Sequence, residues 1–541
     1  MGGDDDSDLV EAWNPDRSVP AVIAAFLGKD VGLPRRWLPH ARLSHLYWMF
    51  RAGFDVPVSE EDHAAVVAES ECSGVLKVPG VADVCPNWGT FHAVWQSTWK
   101  KYLMCRTTSQ HAECKTCFEA RQLIQARGSS LVDRWHYARQ WQDHLRDQYH
   151  DRAIYWFCRY ASRHRMDVLT IIIDSMDKAK FAWPQYPWHR VDKQLEHFRR
   201  PRLIFTAAIA HGYGTFFYIA DEHLSHGASA FCDVLDRVIE AVWVMSRRSG
   251  VSLPAHLVVQ SDNTTAQAKN SVVNIFLSYL VARYKFQTTS LFYLVVGHTH
   301  EDIDQLFGLV LQLVLRKVNF ETPVQLMHAL VRLLREKIEG KGECLFVEYL
   351  THIRDFALWL RPLRVELYGA FGSRHGIEAP HAFTYKVRRD LTKAERNMIP
   401  NSARGFHGDE ADVFACVKTY MHSTALQQPP LMVLPLDRLR AAHMGPVPEF
   451  LVPGAESPER AKELRELAVL LRGAVYNMPL AADALALLAD GPPGPPQLPP
   501  TPWLAEECDN RFSRLIASQN ELFPHLPDTS WHLLVRFKQQ R

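Results

Sequence analysis

MDVLTIIID, residues 166–174, decides the fold. Upstream of it apolar residues recur at helical spacing. Here that period gives way to a nearly continuous run of β-branched and aliphatic residues closed by a carboxylate, which reads as a buried strand. Residues 201–221, PRLIFTAAIAHGYGTFFYIAD, repeat that character on either side of a glycine-containing turn at 212–214 and predict a hairpin. A helix follows from about 227 to 248, then the strand AHLVVQSD (255–262), the helix QAKNSVVNIFLSYLVARY (267–284), the strand SLFYLVVGHTH (290–300) and a helix beginning near Glu301. The order is βββαβαβα. Parallel strands need helical crossovers, whereas meandering strands pair through tight turns. The sequence therefore predicts a mixed sheet covered by helices, an α/β domain over residues 167–338.

On either side the pattern differs. Residues 1–104 read as an all-α front end with LPHARLSHLYWMFRAGF (38–54), VSEEDHAAVVAES (58–70) and GTFHAVWQSTWKKYL (89–103) as amphipathic pieces. Residues 105–166 hold a cysteine cluster and one long helix from about 130 to 164. Residues 339–490 mix weaker strand and helix signals, an accessory α+β region, and GPPGPPQLPPTP (491–502) opens a polyproline linker and tail running to 541. No internal repeat is visible.

Three carboxylates stand where this topology brings strand ends together. Asp174 closes the first strand, Asp262 follows the fourth, and Glu301, Asp302 and Asp304 open the helix after the fifth. Carboxylates converging there suit two Mg²⁺ or Mn²⁺ ions held about 3.5–4 Å apart, the arrangement that activates a nucleophile and stabilises a leaving oxygen in phosphodiester chemistry. Aspartates also cap helices and end strands for purely structural reasons. Three in this order make the functional reading the stronger one.

The blocks IDSMDKAKFAWP (173–184), SDNTTAQAKN (261–270) and GHTHEDIDQLFG (297–308) resemble those of an uncharacterised eukaryotic transposase-like domain family with an RNase H-like fold, and the likeness covers roughly residues 100–320. The family pattern is carried by Asp174, Lys180, Phe181, Pro184, Asp262, Asn263, Gln267, Lys269, Asn270, Gly297, His298, Thr299 and Asp304. The resemblance implies a catalytic carboxylate set of Asp174, Asp262 and Asp304, with His298 beside it to orient a scissile phosphate or a metal-bound water. His298 has a plainer alternative as a strand cap. Asn263, Lys178, Lys180, Lys269, Asn270 and Thr299 are the candidate substrate contacts. The lysines can equally be ordinary surface groups, and Asn263 an N-cap. Ala266 replaces a glycine of the pattern, Ala268 an asparagine and Lys178 a glutamine; none of these removes a candidate metal ligand.

LVVGHTH (294–300) also resembles the last metal block of calcineurin-like metallophosphoesterases, for which Asp221 and His223 would serve upstream and His300 would be a ligand. The two further blocks that family needs are absent from the sequence. In CRTTSQHAECKTC (105–117), Cys105, His111, Cys114 and Cys117 are candidate ligands of a structural Zn²⁺, with Cys85, Cys72 or His92 as replacements for one of the four. Two buried thiols without metal are the alternative. FHAVWQSTWKKYL (91–103), with Lys100, Lys101 and Arg106, resembles the second helix of a helix-turn-helix, although its aromatics fit a core better than an exposed recognition face. The arginines of residues 130–165 alternate with aspartates, as on a solvated, salt-bridged face.

The 541 residues carry 61 Lys plus Arg against 60 Asp plus Glu, a net charge of +1, so any nucleic-acid surface must be local. Hydrophobic residues at 47% and charged residues at 22% exclude wholesale disorder and fibrous architectures. The acidic start MGGDDDSD lacks an export or myristoylation signal, and FGLVLQLVLRKV (307–318) carries polar residues at helical spacing rather than forming a membrane span. Ten scattered cysteines fit a reducing compartment. The expectation is an intracellular, nuclear, transposon-derived protein that cleaves or joins DNA phosphodiesters with Mg²⁺ or Mn²⁺. Its alternative is a catalytically silent descendant that binds nucleic acid or protein. DNA is the expected partner, membranes are not, and a homo-oligomer stays open.

Overall fold

The structure is a computed structural model and describes residues 36–38, 42–52, 88–100, 103–105, 114–126, 128–165, 167–187, 192–224, 227–262, 268–293, 302–339, 343–363, 380–399, 409–442, 444–445, 447–451 and 457–491. They fall into two compact units, one within Met1–Ala153 and the other within Ile154–Leu294 and Thr299–Arg541. In the first unit the strand β1 (Arg36–Leu38) pairs in parallel with β2 (Leu103–Cys105). Its helices are α1 (Leu43–Ala52), α2 (Trp88–Val94, extended by a π turn over Trp95–Trp99), α3 (Lys115–Gln125) and most of α4 (Leu131–His164). The long helix expected over 130–164 is therefore present. The helix expected across 91–103 stops at Trp99, and Leu103 already belongs to a strand. VSEEDHAAVVAES lies outside the described residues.

The second unit is built on one nine-stranded sheet. Its central strands are β3 (Val168–Met176), β4 (Leu203–Ala210) and β5 (Gly214–Asp221), then β6 (His256–Ser261) and β7 (Thr288–Tyr293). Between them run α5 (Lys193–Glu196), α6 (Ala228–Arg248) and α7 (Ser271–Ala282), and α8 (Asp302–Leu309) follows β7. The chain continues through α9 (Pro323–Glu339), β8 (Cys344–Leu350), α10 (Phe356–Trp359), β9 (Ala382–Val387), α11 (Lys393–Met398), β10 (Val413–Lys418), β11 (Leu431–Leu434), α12 (Leu436–Ala441), α13 (Pro458–Arg472) and α14 (Pro479–Asp490). The order across the sheet is β11-β10-β9-β7-β6-β3-β4-β5-β8. β3, β4 and β5 form the antiparallel meander, while β6 and β7 run parallel to β3. This is the mixed α/β arrangement read from the sequence, with the expected succession of three strands, helix, strand, helix, strand and helix. Residues 339–490 add β8 in parallel beyond β5, and β9 to β11 antiparallel beyond β7, so they extend the same sheet.

Both faces of the sheet are covered, which explains the unbroken hydrophobic runs. On one face Ile171, Ile173, Leu257 and Val259 pack with α6, α7 and α10; on the other Ile172, Met176, Phe205 and Phe217 pack with α8, α9, α13 and α14. The β4–β5 turn works because Gly212 adopts φ +81°, a left-handed conformation open to glycine. Gly214 answers a different need: a Cβ there would lie 2.8 Å from the Cys344 carbonyl oxygen, so its absence lets β8 approach β5. α7 is buried at every position, and Asn270 caps it by accepting from the Val272 and Val273 N–H groups.

Candidate functional site: a carboxylate cluster at the strand ends

β3 and β6 are parallel neighbours with Ile173 opposite Ser261. The next residues, Asp174 and Asp262, therefore stand side by side near the carboxyl ends of the two central strands, where open α/β sheets bind ligands; Asp174 does not close its strand as expected, since β3 stays paired with β4 through Met176. Asp174 alternates with Ile172 and Met176, whose side chains lie in the same core as Ile303, Leu306 and Phe307 of α8. That packing carries Asp304, one residue after Ile303, to the same face. Burial first, then the negative charges of Asp262 and Asp304, push the Asp174 carboxyl up to about 7, although the Ser175 N–H donates to it at 2.7 Å. Asp262 and Asp304 are thus near enough to act on the Asp174 carboxyl. Their oxygens are spaced more widely than a closed ligand set, since among the described residues only a Cys/His group, below, brings three ligand atoms within 4.8 Å.

A small cleft beside Asp174 and Asp262 is lined also by Ser175, Thr206, Phe231 and Gly227 at the start of α6; it lies on the α6 face of the sheet, and Asp304 does not line it. α6 carries no acidic residue in its first turn and no side-chain cap at Gly227. Lys178 and Lys180 sit exposed on a short 3-10 turn, Lys178–Phe181, which follows β3. The turn is pinned by Asp177, which accepts from the Ala179 N–H, and by Phe181, stacked in the core on Phe205 at 4.6 Å.

Lys269 is placed differently from these two. It is 1% exposed, its ammonium lies 5.3 Å from the centre of the Tyr293 ring, and burial lowers its pKa to about 8. Beside it, burial and the Lys269 charge push His381 down to about 4. Asn270 is engaged in capping α7, so its side-chain oxygen serves the fold. Asn263, His298, Thr299 and His300 lie outside the described residues. Of the phosphoesterase candidates, Asp221 ends β5 and accepts a hydrogen bond from the Tyr349 hydroxyl of β8, and His223 sits in the turn beyond.

Sequence reasoning missed the group that holds α8. The Tyr155 hydroxyl donates to Asp302 Oδ1 at 2.8 Å, lies 3.0 Å from His211 Nε2, and shares Asp302 with Arg159 at 3.5 Å. Burial pushes His211 down to about 3, so its ring is neutral and its Nε2–H donates to the tyrosine oxygen. The anchor joins the end of α4, the β4–β5 turn and the first residue of α8, two positions before Asp304. These residues are distant in sequence and share no motif, so only their packing reveals them.

In the first unit Cys114, the N-cap of α3, and Cys117 in its first turn meet His144 of α4, and Cys114 Sγ lies 3.3 Å from His144 Nε2. Both cysteines are buried and neither forms a disulfide. Cys114 and burial together push the Cys117 thiol up. His144 takes a place the sequence reading had given to His111, which lies outside the described residues, as does the side chain of Cys105. No residue of α2 is buried; Trp88 and Phe91 pack instead on Tyr47, each at 5.3 Å, so the aromatics expected in a core line a partly exposed face.

Residues 193–398 match a family described as a domain of unknown function (DUF7869). No curated protein and no solved structure matches the chain. Among the described residues no helix is long and apolar enough to cross a membrane.

Proposed function

We propose that the second unit is an RNase H-like, transposase- or integrase-like domain that acts on DNA phosphodiester bonds with two divalent cations. The strand order β5-β4-β3-β6-β7, with carboxylates near the end of the first strand, after the fourth and in the helix beyond the fifth, supports the RNase H-like reading. The observation that carries the function is the placing of Asp174 and Asp262 side by side on the paired central strands β3 and β6, a setting in which burial and the neighbouring charges of Asp262 and Asp304 raise the Asp174 pKa. Surplus negative charge at a cleft is what a hard cation relieves, and all three donors are carboxylate oxygens, so the residues fit Mg²⁺ or Mn²⁺. Such cations supply Lewis acidity to phosphoryl oxygens. Asp174, Asp262 and Asp304 would hold them, and the exposed Lys178 and Lys180 meet flanking phosphates. A DNA substrate implies nuclear residence.

A silent descendant that only binds nucleic acid or protein is favoured by one specific observation. Lys269 and Asn270, two candidate substrate contacts, are respectively buried and engaged in capping a helix. The discriminating experiment is Mn²⁺-dependent cleavage of labelled DNA by the purified protein, alongside Asp174→Asn and Asp262→Asn. Cleavage lost in both variants is the expected result. DNA that is bound but never cut by the unaltered protein would leave the silent reading standing.

A further inference from the structure

We infer that the first unit holds one structural zinc ion between α3 and α4, with Cys114, Cys117 and His144 as protein ligands. The inference stands apart from the proposed phosphodiester chemistry and uses none of its residues.

Their ligand atoms all lie within 4.8 Å of one another, and Cys114 Sγ is 3.3 Å from His144 Nε2. Zinc–sulfur bonds of about 2.3 Å and zinc–nitrogen bonds of about 2.0–2.1 Å put neighbouring ligands of a tetrahedron about 3.5–3.8 Å apart. The group thus stands near zinc-binding geometry and needs side-chain adjustment rather than backbone movement. The donors are soft sulfur and imidazole nitrogen, a set that selects zinc over Mg²⁺ or Ca²⁺. Cys114-x-x-Cys117 closes a chelate around the start of α3. His144 arrives from the middle of α4, where Trp141, one turn earlier, packs in the same core as both cysteines.

The location gives the ion a purpose. Among the described residues, the core around the group has five buried residues besides the two cysteines, Ala120, Ile124, Trp135, Ala138 and Trp141, and is small for the helices it joins. Small cores of this kind gain folding free energy from a bound metal, because the liganded arrangement exists only in the folded chain. A fourth donor, protein or water, completes the tetrahedron.

The full-length protein, purified without added metal, should contain one zinc per chain by elemental analysis. Cobalt(II) exchanged into it should give the thiolate-to-cobalt charge-transfer absorption. Cys117→Ser and His144→Ala should each lose the zinc, whereas His144→Cys should retain it, which separates a ligand from a packing histidine. Folded protein that carries no zinc and gives no thiolate absorption with cobalt would overturn the inference, and so would full zinc retention by a Cys114→Ser, Cys117→Ser double variant.

Discussion

Asp174 is where the charge of the site can be read in a stability measurement. A carboxyl whose folded pKa of about 7 exceeds its ordinary value of 3.8 keeps its proton longer in the folded chain than in the unfolded one. Its ionisation therefore costs stability as pH rises from about 4 through 7, and the cost is constant above that. Asp174→Asn removes it. Metal-free Asp174→Asn protein should gain on the unaltered protein between pH 4 and pH 8, by about 2–4 kcal/mol at one pKa unit per 1.36 kcal/mol. Urea unfolding at the two pH values measures the change, and a difference independent of pH would refute the assignment. Groups remote from the cluster are common to both proteins and cancel in the comparison, whereas Asp262 and Asp304, relieved of the Asp174 charge, add to the gain. Asp174 and Asp262 were legible in the sequence because each ends a hydrophobic run that only a buried strand explains. Lys269 was misjudged as a surface candidate, since nothing local to QAKN shows that the Tyr293 ring will cover it.

At the scale of elements, α8 reaches the site because two things fix it. Ile303, Leu306 and Phe307 bury one face of it against the sheet, and Asp302 is held by Tyr155, His211 and Arg159 at its first residue. Tyr155→Phe keeps the ring in the core and removes the hydroxyl that serves both Asp302 and His211. The variant should unfold at lower urea concentration, losing about 1–3 kcal/mol for buried partners left unsatisfied. An unchanged midpoint would mean that hydrophobic packing alone seats α8. Strands β3 to β6 and helices α4, α6 and α7 could be read from periodicity because each is long and evenly patterned. His144 could not be found as a partner of Cys114 and Cys117. The spacing that joins them is set by the packing of α3 on α4 and follows no local motif.

Across the whole molecule, a chain of net charge +1 gathers negative charge locally, around Asp174 near the strand ends of a nine-stranded sheet. The sheet is wider than the sequence suggested. The edge strands β8 to β11 come from a region of weak local signal and find their places only through long-range pairing, which period and turn chemistry do not encode. The account rests on the cluster being a cation site, and Mn²⁺ binding tests that without knowledge of the DNA target. Calorimetric titration of the zinc-loaded protein with Mn²⁺ should show binding that tightens about tenfold from pH 6 to pH 8, as the ion displaces the Asp174 proton. Asp174→Asn, Asp262→Asn and Asp304→Asn should each weaken it. Absent binding, or binding that all three variants retain unchanged, would contradict the account.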